Sequence, residues 1–202
     1  YLTAIITDYQ RQISTAKTLP YSIVSETRML YNENANGSLN FVPGVLALVL
    51  TIVCTALTSV AVVREKELGT MEILLVSPFK PVMVLIAKAI PFLAMSIANF
   101  TLILLLSVYV LNIPIQGSLL LLYMESILFI ITCLSLGLLI SNTTNSQQTA
   151  LLLSMMGMMM PTLIFTGFMF PLENMPRIFQ IISNIIPARW YFLIVKAVML
   201  KG

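Results

Sequence analysis

Among side chains able to do chemistry, histidine is missing altogether and cysteine occurs twice in 202 residues. Without histidine the chain lacks the usual general base near neutral pH and the commonest metal ligand. Cys54 and Cys133 both fall inside apolar runs with no Cys or His neighbour, which reads as small buried residues rather than a disulfide or a metal site. No GxxxxGK[ST] run occurs, so the chain has no such loop to cradle nucleotide phosphates. What remains is charge in unusual places. Glu125 is the one charge in the 23 residues from Ser118 to Ile140, where a carboxylate must be protonated, paired or functional. Lys88 sits in the first third of another apolar run, at a depth from which an ammonium can snorkel to water. A proton- or ion-coupled carrier using Glu125 and Lys88 is one chemistry these two would support.

The densest charged run is REKELGTMEILLVSPFKP, residues 64–81. Arg64, Glu65, Lys66 and Glu67 end the preceding apolar stretch, since Arg or Lys costs about 2.5–3.5 kcal/mol at mid-bilayer. Thr70 is placed as an N-cap, Glu72 falls in the first turn, and Ser77-Pro78 stops a helix of about two turns. Met71, Leu74 and Leu75 share one face, with Glu65, Glu67 and Glu72 left available beside it. Such a helix suits docking on a soluble partner; the plain alternative is a charged loop between membrane spans.

The order Arg64-Glu65-Lys66-Glu67, then Gly69, Thr70, Glu72, Leu74, Leu75, Ser77 and Pro78, resembles the intracellular loop of ABC-2-type transporter permeases. In that family the segment is the coupling helix, which touches an ATP-hydrolysing subunit. The resemblance implies that Arg64, Glu65, Lys66, Glu67, Gly69, Thr70, Glu72, Leu74 and Ser77 couple this chain to such an ATPase.

Elements that would position these residues follow from composition. With 58% hydrophobic residues, 9% charged residues and mean hydropathy +0.96, the chain is far too apolar for a soluble domain. It reads as an integral membrane protein. A net charge of +3 without a basic run gives no support for nucleic-acid binding. Residues 1–40 hold the sustained polar composition and are expected in water, with an amphipathic helix around Ile5 to Ile13 and a strand near Ser22 to Met29; the resemblance to ABC-2-type permeases implies that they lie outside the cytoplasm. Spans are expected at about 41–63, 82–111, 118–140 and 149–170, joined by the loop 64–81, a turn at 112–117 and the polar loop 141–148. Apolar pieces between 171 and 200 are broken by Pro176, Arg177 and Pro187 and are too short to span, so interfacial or re-entrant helices are expected. Arg177, Arg189, Lys196 and Lys201 would then lie outside, against the positive-inside trend.

Thr51, Thr55 and Thr58 fall at i, i+4 and i+7, either bonded back to i−4 carbonyls or turned toward a path. Met155, Met156, Met158, Met159 and Met160 suit either ordinary packing or a surface that repacks. Pro161 interrupts the fourth span, freeing a carbonyl that Thr162 or a neighbouring helix would have to compensate.

The resemblance to ABC-2-type permeases implies an all-α polytopic membrane protein with a type V exporter-like helix bundle, preceded by the end of an extracytoplasmic domain. It also implies that the chain is part of a longer subunit, with another helix upstream and a last helix downstream. The path would form between two permease copies, a homodimer, with Thr51, Thr55, Thr58, Met155, Met159, Thr162 and Phe165 facing it. Expected partners are an ABC ATPase subunit, the second permease subunit and the lipid bilayer, in the bacterial inner membrane. No cofactor is expected on this chain; ATP and magnesium would sit on the partner. The function implied is export of an amphipathic or hydrophobic compound. Against it stand the ion-coupled carrier and a non-transporting membrane scaffold.

Overall fold

Phe41 to Val63 supplies 23 uncharged residues, enough at about 1.5 Å each to cross a hydrocarbon layer of roughly 30 Å. In the computed structural model they form the middle of a longer helix, α1, Ser38–Glu67. The structure describes Ile5 and residues 38–70, 81–111, 113 and 115–201. The chain divides into two units, Tyr1–Asn36 and Gly37–Gly202, and α1 with all the helices after it belongs to the second. The helix and strand expected before residue 38, and the short helix expected over 71–77, lie outside the described residues.

After α1 come α2 (Pro81–Tyr109), α3 (Leu119–Thr143) and α4 (Gln147–Phe165). A 3-10 turn (Leu172–Asn174), α5 (Arg177–Ser183) and α6 (Pro187–Lys201) follow. Helices α1 to α4 are each long and apolar enough to cross a membrane. Over the described residues the protein is therefore an all-α polytopic membrane protein.

The boundaries depart from hydropathy in instructive ways. Helix α1 does not stop at the charges but runs through them, because Arg, Glu and Lys are good helix formers once clear of hydrocarbon. It ends where Gly69 takes φ +71°, with Gly69 N–H donating to the Lys66 carbonyl at 3.2 Å. The polar loop expected at 141–148 shrinks to residues 144–146, since α3 continues to Thr143 and α4 begins at Gln147. Helix α4 runs through Pro161 and stops at Phe165, five residues short of the expected 170, ahead of Gly167 at φ +81°. Thr162 donates its hydroxyl to the Met158 carbonyl at 2.7 Å, not to the Gly157 carbonyl that Pro161 leaves free.

Helix α1 is the axis of the bundle. It packs against α2, α3, α4 and α6, and half of its apolar window is buried against 17% for α2 and for α4. Leu46, Leu50 and Cys54 of α1 meet Phe100 of α2, Leu122, Ile130 and Cys133 of α3, and Tyr191, Val195 and Met199 of α6. Small residues let the backbones approach, as membrane helices require in the absence of a hydrophobic driving force between them. A Cβ added to Gly137 of α3 would stand 2.8 Å from the Thr55 carbonyl oxygen and 2.9 Å from Thr58 Cβ.

Helices α5 and α6 form a broken pair bent by 81°. Arg189 holds the bend: its Nη1 donates to Ser183 Oγ at 2.5 Å, Asn184 Oδ1 at 2.6 Å and the Gln180 carbonyl at 3.4 Å. Trp190 Nε1 adds a bond to the Asn184 carbonyl at 2.9 Å. This guanidinium is committed to the end of α5, the favourable terminus for a cation, which explains how one of the four awkward C-terminal charges is accommodated. Helix α6 then lies along α3, with Tyr191 stacked on Phe129 at 4.1 Å and its hydroxyl 3.0 Å from Ser126 Oγ.

Candidate functional site: the polar end of the bundle

The charges Arg64 to Glu67 ride on the last turn of α1, where successive side chains point about 100° apart. Four consecutive residues can therefore reach different neighbours. Glu65 forms an ion pair with Lys88 of α2. Lys66 Nζ donates to the Ser141 carbonyl and, at 3.4 Å, to the Thr144 carbonyl, both at the C-terminal end of α3. Glu67 accepts the backbone N–H of Gln147 at 2.8 Å, and its second oxygen accepts the Gln147 side-chain amide. That places a carboxylate on the N-terminus of α4.

Each contact suits the terminus it meets. Free carbonyls at the end of α3 favour a cation, and free amides at the start of α4 favour an anion. Neither helix supplies the charge itself. Helix α3 has no basic residue in its last turn, α4 has no acidic residue in its first, and Ser146 makes no side-chain capping bond.

This corrects one expectation. Glu65 and Glu67 are not left free beside the docking face, because both are engaged by neighbouring helices. Arg64, Leu68, Gly69 and Thr70 are exposed without a bond to a neighbouring helix among the described residues, and Glu67 is exposed although bonded to Gln147. Thr70 donates its hydroxyl back to the Glu65 carbonyl at 3.2 Å across the Gly69 turn, while Glu72, Leu74 and Ser77 lie outside the described residues. Lys88 has a carboxylate partner rather than a purely solvated head. Sequence reasoning did not find Gln147, Ser141 or Thr144; the signal available was a loop without charge between two helix ends that lacked charges of their own.

The residues expected from sequence to face a path separate into two groups. Thr51, Thr55, Thr58 and Thr162 are all buried within this chain. Thr51 and Thr55 donate to the Ala47 and Thr51 carbonyls at 2.5 and 2.6 Å, the i−4 arrangement. Met155 is exposed on α4, Met159 is half-buried, and Phe165 is half-buried with its ring 6.0 Å from that of Phe179. Polar contacts stitch α1 to its neighbours: Ser59 Oγ lies 2.7 Å from Ser154 Oγ of α4, and Cys54 Sγ donates to Ser96 Oγ of α2 at 3.1 Å. Glu125 keeps both carboxylate oxygens buried without a hydrogen-bond partner among the described residues. Lys88 is paired with Glu65, not with Glu125.

The family model for ABC-2 family transporter proteins matches residues 1–202. The chain is 33% identical over 193 residues to the probable multidrug ABC transporter permease YbhS of Escherichia coli, covering 96% of this chain and 51% of that protein. It is 34% identical over 201 residues to the E. coli permease YbhR, covering 100% and 54%. It is also 30% identical over 160 residues to ABC transporter G family member 20 of Dictyostelium discoideum, covering 79% and 22%. The chain thus spans about half the length of the curated bacterial relatives it matches. No solved structure matches it. Four membrane-length helices, a charged run at one end of the central one and a family match along the whole chain lead to one conclusion: the chain belongs to the ABC-2 transporter family.

Proposed function

We propose that this chain is the larger part of the membrane domain of an ABC exporter permease in the inner membrane, moving an amphipathic or hydrophobic compound outward. The observation that carries the reading is the 64–70 segment: it ends the most buried helix of the bundle and exposes Arg64, Leu68, Gly69 and Thr70. A partner pressing there acts on the axis around which the other membrane helices pack. An ATPase subunit supplies hydrolysis, with ATP and magnesium on that partner; this chain is a transporter component, not an enzyme.

A second copy of the subunit completes the path in this reading. The hydroxyls of Thr51, Thr55 and Thr58 are directed into the chain's own bundle, so the path-facing assignment rests best on Met155, Met159 and Phe165 of α4.

The test is co-expression of the full-length subunit with its ATPase, comparing wild type with Arg64→Ala, Gly69→Pro and Glu72→Ala. Loss of co-purification or of stimulated hydrolysis, with the subunit still folded in the membrane, is expected. Unchanged complex and hydrolysis in all three would overturn the coupling assignment.

A further inference from the structure

Lys66 and Glu67 meet opposite sides of one short connector. Residues 144–146 join α3 to α4, and the two helix ends that face each other there take their compensating charges from α1. Both charges sit near water, Glu67 exposed and Lys66 half-buried. Contacts of this kind contribute little to holding a bundle together, and the apolar core lies further along the helices. Their geometry matters more than their strength. A cation on carbonyls and a bidentate anion on amides, supplied by adjacent residues, fix the connector in two opposed directions.

We infer that Lys66 and Glu67 are positioning residues that clamp the 144–146 connector to the 64–70 segment, so that the two move as one body. The inference rests on the proposed coupling function and deepens it. A displacement imposed on the exposed residues 68–70 then passes straight to the inner ends of α3 and α4, without travelling through the core. Helix α2 is tied separately, by Glu65 and Lys88.

The experiment uses the full-length subunit with its ATPase in lipid nanodiscs, with Cys54 and Cys133 replaced by serine and spin labels at Leu68 and Asn145, both exposed. Distances between the labels are measured by pulsed electron paramagnetic resonance without nucleotide and after ATP–vanadate trapping. In the otherwise wild-type sequence a narrow distribution is expected, shifting by less than about 2 Å between states, the scale of a small helix shift. In Lys66→Met with Glu67→Gln the distribution should broaden, and trapping should move it by about 5 Å, one helical turn. Lys66→Arg, which keeps the cation, should retain the narrow distribution. Hydrogen exchange at residues 147–150 without nucleotide should rise about tenfold in Glu67→Gln, as expected when a helix start loses a capping carboxylate.

A wild-type distance that changes on trapping as much as the variant's, or a double variant as narrow as wild type, overturns the clamp. Absence of any ATP-stimulated hydrolysis in the wild-type complex would instead count against the proposed export function. In that case the label widths and the exchange at 147–150, both read without nucleotide, decide the clamp by themselves.

Discussion

Glu125 is the residue whose chemistry fits its surroundings least. Both of its oxygens are buried without a hydrogen-bond partner among the described residues, and a buried charge without a partner costs far more than a neutral side chain of similar size. Replacing Glu125 by Leu should therefore leave the melting temperature of the detergent-solubilised full-length subunit unchanged or raise it by about 2–4 °C. A fall of that size would mean that the carboxyl has a structural partner. If the stable variant also lost transport, the carboxyl would be working on a proton or a cationic cargo, as the ion-coupled reading requires. Glu125 was legible in the sequence because a lone charge in an apolar run needs no context to stand out. The bonds of Thr51 and Thr55 to i−4 carbonyls were legible too, being local to one helix. Gln147 was not, since a glutamine at a helix start gains its meaning from a carboxylate 80 residues away. Lys88 shows the same limit: its depth in the sequence pointed to the polar end, but not to Glu65.

At the scale of elements, close approach decides which helices pair. Gly137 lets α3 lie against the backbone of α1 at Thr55 and Thr58, whereas Gly157 of α4 has open space, its nearest neighbour being Leu153 Cδ1 at 4.0 Å. Gly137→Val should destabilise the subunit by about 1–3 kcal/mol through overpacking against backbone that cannot yield. Gly157→Ala should be neutral or stabilising by about 0.5–1 kcal/mol, through helix propensity alone. Parallel thermal melts of the two variants in one detergent check the contrast, and equal losses would contradict the assigned packing. Span existence was legible from hydropathy, and four membrane-length helices are present. Their ends were not, because hydropathy reports where hydrocarbon stops and not where the backbone leaves the helix. The charged turn that extends α1 to Glu67 follows from helix propensity, and the early stop of α4 precedes Gly167 with its positive φ.

At the scale of the whole molecule, burial is strongly uneven. Leu46 and Leu50 of α1 are fully buried, while Leu152 and Met156 of α4 are among its most exposed apolar residues. Leu50→Ala should cost the isolated subunit about 2–4 kcal/mol as packing contacts are lost around a cavity, with Leu152→Ala costing well under about 1 kcal/mol in the same monomer. Should Leu152→Ala weaken self-association while leaving the monomer's melt intact, the exposed face of α4 would be assigned to the second copy. The central place of α1 also bears on how the protein is made. Among the four membrane-length helices described it is the first to leave the ribosome, and α2, α3, α4 and α6 all pack on it. Each later helix that enters the bilayer thus meets a finished docking surface, and the bundle can grow by addition onto a template already in place. A defect in α1 would accordingly deprive every following helix of its seat, and quality-control proteolysis would remove the whole chain rather than trim one segment.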